Sequence, residues 1–267
     1  MQRRSVIAGL LGTALLLAEK SARAQSVTPD VASSIAPTGK VRIAINYGNA
    51  VLAQRNAETG KLSGVSVDIA EELGRRLGLP ITLVPFDAAG KVSAVAAKDV
   101  WDVAFLAGDP ERAREISFTA PYVVINGTYT VRKDSPFTAP EQVDRDGVRI
   151  AVSGQSIYDL FLSRTLKHAK IVRAGSPREA AALFHSEHLE VCAGVQTAML
   201  QLIATDPTLR MIPEPFMQIN QAMGTPAGRA AAAAYLNAFV ESIKADGFVA
   251  KALARNGQVD AAVAPPG

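Results

Sequence analysis

Short apolar runs alternate with stretches of helical period along most of this chain. Residues 41–45, 81–86 and 103–106 read as strands, and 67–77 and 90–98 between them read as helices. That alternation belongs to an α/β layer built on a parallel sheet. In 67–77 the apolar positions Val67, Ala70, Leu73 and Leu77 share a face, while Glu71, Glu72 and Arg75 fill the opposite one. Gly78 and Pro80 then stop the helix. After the Pro- and Asp-rich stretch 133–147 the pattern starts again. Residues 148–152, 170–173 and 189–193 read as strands, with helices at 158–166, 177–185 and 197–204. An Ala-rich helix over 228–244 and a short one over 248–255 close the chain. Two starts of one pattern in this length point to two modest lobes.

The N-terminus changes the charge picture. Arg3 and Arg4 precede a mostly apolar stretch from Ser5 to Ala18, and Ala22-Arg23-Ala24 supplies a small-x-small site. Together these predict a secretory signal peptide over 1–24, cleaved after Ala24, with the Arg3-Arg4 pair leaving both the general and the twin-arginine export routes open. No cysteine lies near the cut to carry a lipid anchor. The whole chain carries a net charge of +3, from 28 basic and 25 acidic residues. Residues 1–24 hold four of the former and one of the latter, which leaves 24 of each. Nothing in that balance favours nucleic acid or an anionic membrane as partner. Cys192 is the lone cysteine; without a second one it reads as a small core hydrophobe.

The block 64–122 carries the most specific signal. Gly64-Val-Ser-Val-Asp68 opens the predicted helix; Trp101-Asp102 precedes a strand; Glu111-Arg112 leads into Ile116-Ser-Phe-Thr-Ala-Pro-Tyr122. In that order these segments resemble the first lobe of the family 3 periplasmic solute-binding proteins of ABC importers, and a weaker resemblance runs from about 40 to 255. The resemblance implies an α/β, type II two-lobe periplasmic-binding-protein fold. Each lobe would be a sheet flanked by helices, joined by two hinge crossovers at 123–132 and 218–225. Lobe 1 would take 25–127, lobe 2 128–223, and the helices of 224–267 would return to lobe 1. It further implies a monomeric periplasmic receptor that binds a small-molecule solute between the lobes, hands it to permease subunits, and needs no cofactor.

On the resemblance, Arg112 falls where amino-acid-binding members place the arginine that clamps the ligand carboxylate, a task suited to a planar two-pronged donor. The alternative is a surface arginine paired with Glu115 or Asp109. The Ser/Thr run that usually precedes the clamp is shortened here to Ala107-Gly108-Asp109-Pro110, which implies a different grip. Tyr47 and Asn49, just after the first strand, either face the ligand or form a plain turn around Gly48. Asp87 after the next strand is a similar case, whereas Asp68 reads as an acidic group stabilising a helix start.

In the second half, Ser153-Gly154-Gln155-Ser156 follows its strand as a donor-rich turn, but Gln155 replaces the glycine expected there, so the backbone should approach a ligand less closely. Ser156 reads equally as a ligand contact and as an N-cap with Asp159 three residues on, and Tyr158 either lines the cleft or packs on its helix. The position where amino-acid binders carry the aspartate that neutralises the ligand ammonium holds Val195, with Gln196 beside it. Burying an ammonium without a carboxylate is costly. Asp87 or Asp109 would have to compensate; otherwise a small carboxylate, or an amide-like solute read by Gln155, Gln196, Gln218 and Gln221, fits at least as well.

Signals for catalysis and metals are thin. His185 and His188 share a helical face but have no third ligand in view, and no nucleophile elbow or phosphate loop occurs. Some proteins of the resembled fold are dehydratases of cyclohexadienyl acids. For that chemistry Arg112 would hold the carboxylate and Glu190 or Asp87 would serve as the acid.

Overall fold

The computed structural model describes residues 27–267, so the expected signal peptide lies outside the described residues. The first lobe opens with α1 (Pro29–Ile35), β1 (Val41–Asn46), the small hairpin β2 (Gln54–Arg55) and β3 (Leu62–Ser63), then α2 (Val65–Leu77), β4 (Ile81–Phe86), α3 (Ala89–Ser93) and β5 (Val103–Ala107). Gly78 ends α2 in the left-handed conformation at φ 65°, as a C-terminal glycine should. The helix expected over 90–98 is broken: α3 stops at Ser93, a single 3-10 turn spans Ala96–Lys98, and Asp99 turns left-handed at φ 52°.

The long strand β6 (Ile116–Arg132) crosses to the second lobe, which holds β7 (Arg149–Ser153), α4 (Ile157–Thr165), β8 (Lys170–Ala174), α5 (Pro177–Ser186), β9 (Val191–Val195), α6 (Gln196–Thr205) and β10 (Leu209–Met211). Strand β11 (Met217–Pro226) crosses back, and α7 (Ala230–Ala245), α8 (Phe248–Arg255) and β12 (Ala262–Val263) finish the chain.

The two halves repeat one plan. In the first, β1 lies between β4 and β5, all parallel, and β11 adds an antiparallel neighbour to β5. In the second, β7 lies between β8 and β9, all parallel, and β6 adds the antiparallel neighbour to β9. The crossing strands β6 and β11 pair with each other between these groups, so the halves are joined by a two-stranded ribbon. The pairing slips a residue at Gln221/Ala222, opposite Pro121, whose missing N–H is tolerated at such a bulge.

The repeat extends to side chains. Val41-Arg42-Ile43-Ala44 and Val148-Arg149-Ile150-Ala151 start the central strands. Arg42 donates its backbone N–H and guanidinium Nε to Asp102 Oδ2, both at 2.9 Å. Arg149 does the same to Glu190 Oε2, at 2.8 and 3.0 Å. Each carboxylate precedes the neighbouring parallel strand, so each clasp locks strand to strand at the ends away from the cleft.

Cores form accordingly. Ile43, Leu73, Phe105 and Tyr122 pack in one cluster with Leu236 and Phe239 of α7 and Leu253 of α8, so the C-terminal helices share the first lobe's core. Tyr129, Ile150, Val152 and Val191 form the second lobe's core on one face of its sheet, with Phe184, Leu189 and Cys192 on the other. Asp68 accepts from Arg255 (3.0 Å) and from Asn256 (2.8 Å), tying α2 to α8.

Candidate functional site

The parallel strands β1, β5, β7 and β9 all end at the gap between the lobes, where open α/β sheets bind ligands. A narrow cleft lies there, leaving about 40 Å³ for the centres of water-sized molecules. The first lobe contributes Asn46, Asn49, Leu106 and Arg112; the second contributes Ser153, Ser156, Tyr158 and Val195. Gln221 enters from the crossing strand β11.

Arg112 is set by a tight turn. Asp109 Oδ1 accepts from the Glu111 N–H (2.9 Å), and the Asp109 carbonyl accepts from Ala113 N–H (2.9 Å). Pro110 pre-forms that turn. The guanidinium is buried, with 5% of the residue exposed. Its terminal nitrogens donate to the carbonyls of Ala107 (2.9 Å) and, across the gap, Gln155 (2.8 Å), while Nε has no partner among the described residues. Burial presses its pKa down to about 10, against the opposing pull of Asp109 and Glu111, so it remains a cation at neutral pH. A pairing with Glu115 or Asp109 does not form. Asp109, fully buried, instead bridges the lobes to Arg164 at 2.8 Å.

Across the gap the lobes meet at Arg112 on the Gln155 carbonyl, Asp109 on Arg164 and the close approach of Gly90, with Ile157 packed against the first lobe's core. A Cβ at Gly90 would stand 2.7 Å from the Gly154 carbonyl oxygen and 2.7 Å from Gln155 Cβ. Gln155 stands where a glycine was expected and keeps a glycine's backbone. It adopts the left-handed conformation itself, at φ 57°, and its carbonyl reaches the guanidinium. Its N–H is spent on Asp159 Oδ2 at 2.8 Å.

Ser156 is the N-cap of α4, its Oγ accepting from Asp159 N–H at 3.0 Å, and the residue also lines the cleft. Tyr158 lines the cleft from α4, and burial pushes its phenol pKa upward. Asn49 is buried too, and its Oδ1 has no partner among the described residues. Of the other candidates, Ser153 lines the cleft, whereas Tyr47, Asp87, Asp109 and Gln196 do not, nor does the Gln155 side chain. Tyr47 lies under the Arg55 guanidinium on an outer groove (5.6 Å). Asp87 pairs with Lys91 at 2.8 Å. Gln196 accepts from Asn126 of β6 at 3.0 Å. Gln221 is the residue whose weight was underestimated: it shares the buried face of β11 with Ile219, and a polar residue on the apolar side of an alternating strand is the available signal.

Outside the cleft, His185 sits 3.6 Å from Asp206, and no cluster of metal-ligating side chains occurs among the described residues. Cys192 is buried, which pushes its thiol up to about 12.

Comparison with known proteins bears on this site. The family model for bacterial extracellular solute-binding proteins, family 3, matches residues 41–259. Cyclohexadienyl dehydratase of Pseudomonas aeruginosa is 26% identical over 195 residues, covering 72% of this chain and 67% of its own length. Among solved structures, a solute receptor for L-cysteine of Neisseria gonorrhoeae superposes with a TM-score of 0.73 at 20% identity, covering 84% of this chain and 92% of that one. A mutant of ArgBP from T. maritima superposes with a TM-score of 0.72 at 19% identity, covering 84% and 98%.

Proposed function

Because the chain belongs to the bacterial extracellular solute-binding proteins of family 3, we propose that it is the receptor of an ABC importer whose lobes close on a small carboxylate-bearing solute. The observation that carries this reading is Arg112: a buried guanidinium in the interlobe cleft whose partners among the described residues are carbonyls and whose Nε has none there. A buried cation without a counter-ion is unfavourable, and a ligand carboxylate supplies one. Closure joins Arg112 of one lobe to Ser153 and Ser156 of the other, so ligand contacts from both sides are coupled to rotation about the ribbon.

In this reading residues 1–24 direct export to the periplasm and are removed. Lobe 1 comprises 25–127 and 224–267, lobe 2 comprises 128–223, and the receptor acts as a monomer that delivers its solute to permease subunits. The shared core of the C-terminal helices and the first lobe supports that division. The dehydratase relative raises a catalytic alternative, which we disfavour for this cleft. Glu190 is committed to Arg149 at the far strand end, Asp87 to Lys91, and neither lines the cavity.

A thermal-shift screen of residues 25–267 against amino acids, mono- and dicarboxylates, keto acids, amides and polyamines tests the proposal, since native-state binding stabilises by mass action. Prephenate belongs in the panel with a turnover assay. A carboxylate-specific rise in Tm without consumption is expected; consumption of prephenate would replace the receptor by an enzyme.

A further inference from the structure

Resting on the reading of the cleft as a carboxylate receptor, we propose that its solute carries a neutral hydrogen-bond donor, a hydroxyl or an amide N–H, where an amino acid would carry its ammonium. Charge balance is the first argument. Among the described residues, Arg112 is the one charged residue lining the cleft. A carboxylate neutralises it. A zwitterionic amino acid would leave one positive charge uncompensated in a buried site, which low-dielectric surroundings penalise.

The acids nearest the cleft do not offer an ammonium a free charge, because each is already matched by an arginine. Asp109 accepts from Glu111 N–H and Arg164. Asp159 accepts from Gln155 N–H, Ser163 and Arg173. The carbonyls of Ala107 and Gln155, which face the same gap, already receive the Arg112 nitrogens. At the end of β9, Val195 presents a hydrocarbon to the cleft.

The second argument is an orphan acceptor. Asn49 Oδ1 is buried, belongs to a cleft-lining residue and has no partner among the described residues. A carbonyl oxygen so placed seeks a donor, and a neutral one satisfies it without adding charge. Leu106, Ile157, Val195 and Met199 give the cleft an apolar patch suited to a hydrocarbon body, beside the polar Asn46, Ser153, Ser156 and Gln221.

Matched trios test this by titration calorimetry on residues 25–267: lactate, alanine and propanoate, then phenyllactate, phenylalanine and phenylpropanoate. Each trio keeps the skeleton and changes only the group beside the carboxylate. The hydroxy acid is expected to bind about 100-fold more tightly than the amino acid and about tenfold more tightly than the plain acid. In Val195→Asp, which supplies a carboxylate at the cleft, the order between hydroxy acid and amino acid should reverse. An amino acid binding as tightly as its hydroxy acid in the unaltered protein overturns this inference while leaving a carboxylate receptor. Binding of uncharged solutes with no response to any carboxylate overturns that underlying reading, and this inference with it.

Discussion

The two lobes are built on the same clasp and use it differently. In the first, Asp102 is fully buried and gathers Arg42 together with Arg229, which caps the C-terminal return. In the second, Glu190 holds Arg149 with a third of its side chain exposed. At the cleft the asymmetry is of another kind: the first lobe presents the charge, Arg112, and the second presents hydroxyls, hydrocarbon and the Gln155 carbonyl. A repeated scaffold can thus hold its sheet at one end of the strands and diversify at the other, because the two ends are separated by a full strand length.

The comparison breaks most visibly at the clasps. Asp102→Asn should lower stability by about 3 kcal/mol, since it leaves two largely buried arginines with only the exposed Asp99 as counter-ion, while Glu190→Gln should cost under about 1 kcal/mol, the range of a solvent-screened pair. Urea denaturation of both variants checks this; equal losses would mean the clasps are equivalent. Acid should reveal the same difference. Burial raises the Asp102 carboxyl, but hydrogen bonds from Arg42 and Arg229 outweigh it and hold its pKa below the ordinary 3.8. The hydrogen bond from Arg149 holds Glu190 below its ordinary 4.5. Both contributions are present above those ordinary values and vanish as pH falls through the depressed ones. Stability below about pH 4 should therefore fall less steeply in Asp102→Asn than in the unaltered protein.

Gly90→Ala separates closure from folding. The new methyl group fits an isolated first lobe and favours α3, but meets the Gly154 carbonyl when the lobes approach. Affinity should drop about tenfold, roughly 1.4 kcal/mol, while the Tm of the unliganded protein holds or rises; parallel calorimetry and melting scans read both. Asp109→Asn, which removes the charge of the interlobe bridge to the half-exposed Arg164, should weaken binding by less than about 1 kcal/mol, detectable as a small rise in Kd.

Much of the scaffold was legible because it is strongly periodic. The helix at 248–255 matches α8 to the residue, and Gly78 ends α2 as its position implied. Elements of two or three residues, β2, β3, β10 and β12, carry too few positions to show a period. The N-terminal helix α1 was not anticipated either, although Thr28 caps it from just before Pro29. In the site, the segment leading to Arg112 could be located from its motif. Its partners could not, because Gln155 lies 43 residues away and the Asp109–Arg164 pair spans 55. Local sequence likewise does not tell that Gln155 would take a glycine's conformation, or that Tyr47 would turn to Arg55.

The central claim is that the Arg112 cation in the interlobe cleft recognises a carboxylate. Its most direct test compares a bound acid with its methyl ester by calorimetry, in the unaltered protein and in Arg112→Met. The account predicts at least about 100-fold preference for the free acid, some 3 kcal/mol, reduced to little or none in the variant while its melting temperature stays level or rises. Ester and acid binding alike in the unaltered protein, or an undiminished preference in Arg112→Met, would contradict it.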